Sequence, residues 1–103
     1  MMHNKLVRDK IPEIIKRQGR TITYRVLSEQ AYFKELEAKL LEEVKEYLSS
    51  SEPEELADIL EVVFALGKCL GMDESGLSEI RALKNEKNGA FDERLFLVST
   101  DEL

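Results

Sequence analysis

Apolar residues recur at intervals of three and four between about residues 29 and 49, which is the spacing of one face of an α-helix. Ser28 stands at the expected N-cap position, with Ala31 as the third residue of the helix. The pattern therefore predicts a long helix with one apolar stripe facing a partner. That stripe consists of Phe33, Leu36, Leu40, Val44, Tyr47 and Leu48.

The next predicted helix, about residues 53–70, is apolar on almost every side. It opens at Pro53, which follows Ser51 and Glu52, and it ends at Gly71. A helix that is apolar all round is buried on several sides. In a chain of only 103 residues, burial of that extent indicates a helical bundle or a dimer core, because a single core of this size is marginal alone. We therefore expect a homodimer or homotetramer.

Two shorter helices flank this central pair. Residues 11–15 begin a short helix with Pro12 in its first turn, and Gly19 ends it. Residues 74–88 predict a mostly polar helix that ends at Gly89. Four helices of this kind favour an all-α fold in which the central pair forms an antiparallel hairpin.

Two short stretches have the pattern of β-strands instead. Residues 21–26 alternate and are rich in β-branched side chains, and residues 94–99 can form a second strand. We expect them to pair as a small two-stranded β element. With this addition, residues 1–103 are predicted to form a single domain built on an antiparallel helical bundle.

Composition excludes several classes of protein. The net charge is −6, so a nucleic-acid polymer is a poor partner, because phosphate contacts need a basic face. The longest apolar run, residues 62–66, is far shorter than the roughly 20 residues that span a bilayer. The N-terminus lacks the apolar region of a secretory signal, and we expect a cytoplasmic protein without a membrane partner. One cysteine and one histidine exclude an internal disulfide and a His- or Cys-rich metal cluster.

The charges are unevenly distributed along the chain. Residues 1–25, which we call the basic arm, carry a net charge of +5, whereas residues 26–61 carry −8 and residues 62–103 carry −3. A basic arm beside an acidic middle suits a site that holds an anion next to a cation. The alternative is that solvated helix faces simply differ in charge.

Two pairs of carboxylates lie in the central helices. Glu43 and Glu46 are three residues apart, as are Glu55 and Asp58, so each pair lies on one helix face. If the helices form an antiparallel hairpin centred between residues 50 and 51, the pairs are level and four carboxylates converge. Asp58 is surrounded by apolar residues and is expected to leave bulk water, which is costly without a cation. Oxygen ligands without His or Cys favour Mg²⁺, with Mn²⁺ as a substitute.

The same acidic residues also have explanations that involve no metal site. Pairs of glutamates three apart are common on solvated helices of an acidic chain. Glu61 can be a buried partner for Lys5, Arg8 or Lys10 instead of a group that supports a metal site. The whole chain can then be a non-catalytic helical dimerisation or regulatory module.

Several motifs together resemble one superfamily. The run Glu42-Glu43-x-x-Glu46, followed by Glu55-Leu-Ala-Asp58, resembles the MazG-like all-α nucleoside triphosphate pyrophosphohydrolases, which include phosphoribosyl-ATP pyrophosphohydrolase. Residues 5–12, Lys-Leu-Val-Arg-Asp-Lys-Ile-Pro, and the later Lys84-x-x-x-Asn88-Gly-Ala-Phe91 look like the branch of predicted house-cleaning non-canonical NTP pyrophosphatases. The resemblance covers nearly the whole chain.

The resemblance implies an oligomeric helical bundle that depends on Mg²⁺ and hydrolyses nucleoside triphosphates at the α–β bond to a nucleoside monophosphate and pyrophosphate. Phosphoribosyl-ATP hydrolysis in histidine biosynthesis is the alternative with the same chemistry. The metal ligands carry over onto Glu43, Glu46, Glu55 and Asp58. Glu43 or Glu46 can orient or deprotonate the attacking water.

The same resemblance suggests where phosphate contacts and supporting acids lie. Asn88 stands where the family tends to have arginine, and Ala90 replaces a glycine. Glu42 matches the first acid of the motif. Glu42 and Glu61 are candidates for residues that contact the metal ligands without binding the metal themselves. Basic side chains are expected to hold the outer phosphates. The candidates are Arg8, Lys10 and Lys5 in the basic arm, then Lys84, and Lys87 or Arg94 in place of the missing arginine.

Overall fold

A computed structural model describes residues 2–101 and contains four α-helices in that range. They are α1 (Ile11–Arg17), α2 (Glu29–Ser50), α3 (Pro53–Cys69) and α4 (Glu74–Asn88). No strand occurs among the described residues, so the all-α class is confirmed. No helix within residues 2–101 has both the length and the apolar character needed to cross a membrane.

Local signals at the helix ends define the α2–α3 hairpin. The Ser28 hydroxyl accepts a hydrogen bond of 3.2 Å from the Ala31 N–H, as expected of an N-cap. At the other end, Ser51 adopts a left-handed conformation with φ 57°, and its N–H donates to the Tyr47 carbonyl. Pro53 then begins α3 at a position where a proline is tolerated. Only two residues separate the helices, so α3 must fold back along α2.

The turn between α3 and α4 brings the backbone of Met72 close to Gly67 near the end of α3. A Cβ added to Gly67 would meet the Met72 carbonyl oxygen at 3.2 Å and the Leu77 side chain at 3.4 Å. Glycine therefore allows the chain to turn tightly against the end of α3. The Asp73 carboxylate then caps α4, because it accepts a hydrogen bond of 2.7 Å from the Gly76 N–H.

α3 is the central helix of the chain. α2 and α4 both pack against it, whereas α1 packs on none of the other helices in the described range. Leu36 on α2 and Val62 on α3 are the only described apolar residues with a buried side chain. The single chain therefore has a small core, confined to the seam between α2 and α3.

Much of the apolar surface is left open. The radius of gyration is 18.4 Å, compared with about 13 Å for a compact domain of 100 residues. The accessible surface is 9693 Å², compared with about 5,900 Å² for a compact monomer of this mass. Within one chain, α3 is covered only where α2 and α4 lie against it, so Leu56 and Leu60 stay about half exposed.

The predicted β element is wrong. Residues 21–26 and 94–99 have no strand structure. Val26 and Phe96 are about nine-tenths exposed, so neither of these side chains packs on a helix. A two-stranded ribbon is marginal in water unless a further layer covers one of its faces, and here the alternating pattern has no such layer.

Candidate metal centre

Acidic side chains from α2 and α3 meet across the hairpin. Carboxylate oxygens of Glu43, Glu55 and Asp58 lie within 4.8 Å of one another, and so do those of Glu42, Glu43 and Glu46. We call these the inter-helix triad and the α2 triad. Glu43 belongs to both triads because it faces α3 from the middle of the seam. The four predicted ligands are therefore arranged as two overlapping groups, with Glu46 in one and Glu55 and Asp58 in the other.

Glu43 is the most constrained member of the cluster. It is only 7% exposed and is the one charged residue that is buried among those described. Its Oε2 atom is buried without a hydrogen-bond partner. Most buried polar atoms in proteins have a hydrogen-bond partner, because a buried atom without one keeps its full cost of desolvation. A cation or a proton at this oxygen would offset that cost.

The surroundings of Glu43 disfavour its charged form. Burial raises the pKa of the Glu43 carboxyl above its ordinary value, and the neighbouring Glu46 raises this pKa further, because its carboxylate can accept the proton of neutral Glu43 and repels the charge of ionised Glu43. Lys39 acts in the opposite direction and lowers the pKa. The net shift is upward, so a cation must be supplied if Glu43 is to be fully ionised at low cost.

Two basic side chains contact the cluster, one at each triad. Lys39 Nζ lies 3.4 Å from Glu43 Oε1 and 3.5 Å from Glu42 Oε1. Arg8 Nη2 donates a hydrogen bond of 2.7 Å to Asp58 Oδ1. The basic arm therefore reaches the acidic middle of the chain through Arg8.

The prediction that Glu61 is a buried partner of the arm is wrong. Glu61 is exposed, and among residues 2–101 it forms no ion pair. Arg8 pairs with Asp58 instead, three residues earlier on α3. Leu60 beside it is exposed as well, because no other helix of the chain covers α3 at this point.

The other predicted phosphate contacts are not brought to the cluster within one chain. Lys5 and Lys10 are exposed, as are Lys84, Lys87 and Arg94. In the part of the chain that the structure describes, none of the five forms an ion pair with a carboxylate. For Lys84 and Lys87 the reason is architectural, since α4 packs on α3 but not on α2.

Lys39 is the residue of the site that the sequence analysis missed. A signal for it was present, because Lys39 precedes Glu42 by three residues and Glu43 by four. Residues at these spacings lie next to each other on a helix surface. Attention to basic as well as acidic residues around the motif would have found this contact.

The donor set is the kind that a hard divalent cation prefers. All the side chains in both triads are carboxylates, and carboxylate oxygens suit Mg²⁺ and Mn²⁺ better than softer metals. The buried and unpartnered Oε2 of Glu43 adds a specific reason for a cation at this place. The residues therefore fit such an ion, and the inter-helix triad contributes ligands from both helices.

No family model and no solved structure matches the chain. A stretch of 41 residues is 56% identical to an uncharacterized protein of Mycolicibacterium smegmatis. The match covers 40% of this chain and 42% of that protein, so it spans about two-fifths of each.

We expect Glu43→Gln to stabilise the metal-free protein at neutral pH. A carboxyl whose pKa is raised by folding stabilises the fold below its pKa in the unfolded chain, and that contribution is lost as the pH rises through the folded pKa. The neutral amide does not suffer this loss. Urea unfolding with a chelator present should show a gap between variant and wild type that widens from pH 4 to pH 8. Glu37→Gln, an exposed site on α2, is the control and should show no such widening. A variant less stable than wild type at pH 8 would contradict this account.

Proposed function

We propose that this protein is a Mg²⁺-dependent nucleoside triphosphate pyrophosphohydrolase of the MazG-like all-α type. It would hydrolyse non-canonical or excess nucleotides of the cytoplasm to a nucleoside monophosphate and pyrophosphate. The observation that carries the proposal is the buried carboxylate of Glu43, whose Oε2 has no partner. It lies within 4.8 Å of Glu55 and Asp58 on the facing helix.

The burial of Glu43 favours an enzyme over a module whose acids only solubilise its helices. A solubilising carboxylate gains nothing from being 7% exposed, and it loses its hydration. The positions also match the motif on which the resemblance to the superfamily rests, because Glu43, Glu55 and Asp58 are three of its ligand positions. Chemistry and motif therefore point to the same residues.

Glu43, Glu55 and Asp58, with Glu46 beside them, would hold Mg²⁺, for which Mn²⁺ can substitute. The chemistry that a bound divalent ion supplies is neutralisation of charge on the triphosphate oxygens during cleavage of the α–β bond. Glu46 is exposed whereas Glu43 is buried. Glu46 is therefore the carboxylate that a water molecule can reach, and we assign to it the orientation and deprotonation of the attacking water.

Arg8 is the best placed of the candidate phosphate contacts. Its guanidinium bonds Asp58 at 2.7 Å, and its side chain is 59% exposed. An exposed ion pair contributes little to stability, so Arg8 can exchange a carboxylate oxygen for a phosphate oxygen at small cost. Lys5 and Lys10 are nearby in sequence. Lys84, Lys87 and Arg94 would have to come from a second copy of the chain.

Exposed apolar surface supports assembly into a homodimer or homotetramer. The accessible surface exceeds that of a compact monomer of this mass by about 3,800 Å². Obligate dimer interfaces bury on the order of 2,000–5,000 Å² in total over both partners, and half of that area per chain is less than this excess. Leu56 and Leu60 on α3, with Leu41 and Leu48 on α2, are exposed on the hairpin that carries the site, so we place the interface along this hairpin.

The test of the activity is pyrophosphate release in the presence of Mg²⁺. A panel of canonical and non-canonical nucleoside triphosphates together with phosphoribosyl-ATP should show turnover of triphosphates and discriminate between the two related activities. Asp58→Asn and Glu46→Gln should each lower turnover at least about 100-fold, on the order of 2.7 kcal/mol of transition-state stabilisation, without loss of helix content. Glu54→Gln, exposed in the first turn of α3, should retain wild-type turnover. Release from no substrate of the panel, or full activity in both ligand variants, would overturn the proposal.

The role of Arg8 has a separate kinetic test. If Arg8 holds a phosphate, Arg8→Ala should lower kcat/KM by one to two orders of magnitude, about 1.4–2.8 kcal/mol, with little change in Tm. Arg20→Ala, another exposed arginine of the basic arm, should change neither quantity. If the ion pair with Asp58 is purely structural, Tm should fall while catalysis per folded molecule stays at the wild-type level.

Sedimentation equilibrium at micromolar concentration tests the assembly. We expect a dimer or a larger oligomer, and we expect Leu60→Lys to shift it towards monomer because a charge would enter the apolar interface. Since Leu60 is 53% exposed within one chain, helix content should be retained. A wild-type monomer with full activity would contradict this part of the proposal.

A further inference from the structure

The two triads differ in the cation that already accompanies them. In the α2 triad, the Lys39 ammonium contacts Glu42 and Glu43, with Nζ at 3.5 and 3.4 Å from their Oε1 atoms. In the inter-helix triad, Arg8 contacts Asp58 alone. Lys39 therefore contacts two acids of the α2 triad, whereas the inter-helix triad meets Lys39 only through the shared Glu43 and has Arg8 on Asp58.

The two basic side chains also differ in their position. Lys39 is 20% exposed and lies on α2 one turn before both of its partners, with Nζ 3.4–3.5 Å from their oxygens. Arg8 is 59% exposed and makes the shorter contact of 2.7 Å from a segment without regular structure. Lys39 is therefore kept beside its partners by their spacing on one helix, whereas Arg8 can leave Asp58 when another group binds.

The two carboxylate oxygens of Glu43 have different surroundings. Oε1 is the oxygen in contact with Lys39, and Oε2 is the buried oxygen that has no partner. A second cation on the α2 triad would share Oε1 with an ammonium group and meet a like charge at short range. An ion shared with Glu55 and Asp58 can use Oε2 and does not compete with Lys39 for an oxygen.

We propose that Lys39 is the resident cation of the α2 triad and that it limits the carboxylate cluster to one divalent ion, held by Glu43, Glu55 and Asp58. This inference rests on the metal site of the proposed function but not on the identity of the substrate. Lys39 is in this sense a positioning residue, since it acts on the ion through Glu42 and Glu43 and touches no reacting group. It directs the ion towards the triad that bridges the two helices.

The experiment is a titration of the full chain with Mg²⁺ by calorimetry and with Mn²⁺ by electron paramagnetic resonance, without nucleotide. Wild type should bind one ion per chain. Lys39→Met removes the charge but keeps most of the length, and it should bind a second ion at millimolar concentration, visible with Mn²⁺ as a pair of spin-coupled ions. Lys39→Arg should keep the count at one. Lys45→Met, an exposed lysine on the same helix, is the matched control for loss of charge and should also bind one ion.

The outcomes separate this inference from the proposed function. Two ions per wild-type chain, or one ion per chain in Lys39→Met, would overturn the role of Lys39 and leave the pyrophosphohydrolase proposal intact. One ion in wild type and two in Lys39→Met without any nucleotide turnover would support the role of Lys39 and overturn the activity. No ion bound by any variant would overturn both. Lys39→Gln, which retains a hydrogen-bond donor, has the same expected count of two and replaces Lys39→Met if that variant does not fold.

Discussion

The register of the α2–α3 hairpin is the constraint on which the rest of this molecule depends. It puts a charged group, Glu43, into the same buried seam as Leu36 and Val62. The seam is the core of the chain, so the carboxylate cannot move to solvent without opening that core. Fold and chemistry are therefore coupled at one position, because the packing that stabilises the hairpin also creates the unpartnered oxygen.

Beside this seam, acidic and basic side chains meet in one cluster. Its carboxylates lie on the two central helices, where Lys39 contacts two of them, and Arg8 of the basic arm contacts a third. The cluster therefore has more negative than positive charges, and Arg8 is the more exposed of its two basic side chains.

The parts of the structure that the sequence predicted are those determined by local signals. Ser28 caps α2 as expected, and α4 has the predicted bounds of residues 74–88, since cap residues and glycines act within one turn. Counting outward from the turn also placed Glu43 level with Asp58, and their oxygens lie within 4.8 Å. The count succeeds because two helices joined by so short a connection have little freedom to slide.

The failures concern contacts between distant segments. The alternation in residues 21–26 and 94–99 is genuine, but a strand requires a neighbour and a cover, and neither is encoded in the segment itself. Glu61, the alternative buried partner for a basic residue of the arm, is exposed, and Arg8 meets Asp58 one helical turn earlier on α3, because the charge of the arm alone does not determine which carboxylate it meets. Apolar spacing likewise indicated how much of α3 should be covered but not which surfaces would cover it.

The turn between α2 and α3 has a consequence for the variation that this chain can tolerate. Exposed turns are normally the places where insertions and deletions do least harm. Here Ser51 takes the left-handed conformation that reverses the chain within two residues, and the alignment of the acids on the two helices depends on that reversal. An added residue within either helix between the turn and the acids would rotate one set of carboxylates by about 100° relative to the other. The turn and the helix ends beside it should therefore tolerate a change of length as poorly as a buried core does, although the turn itself is exposed.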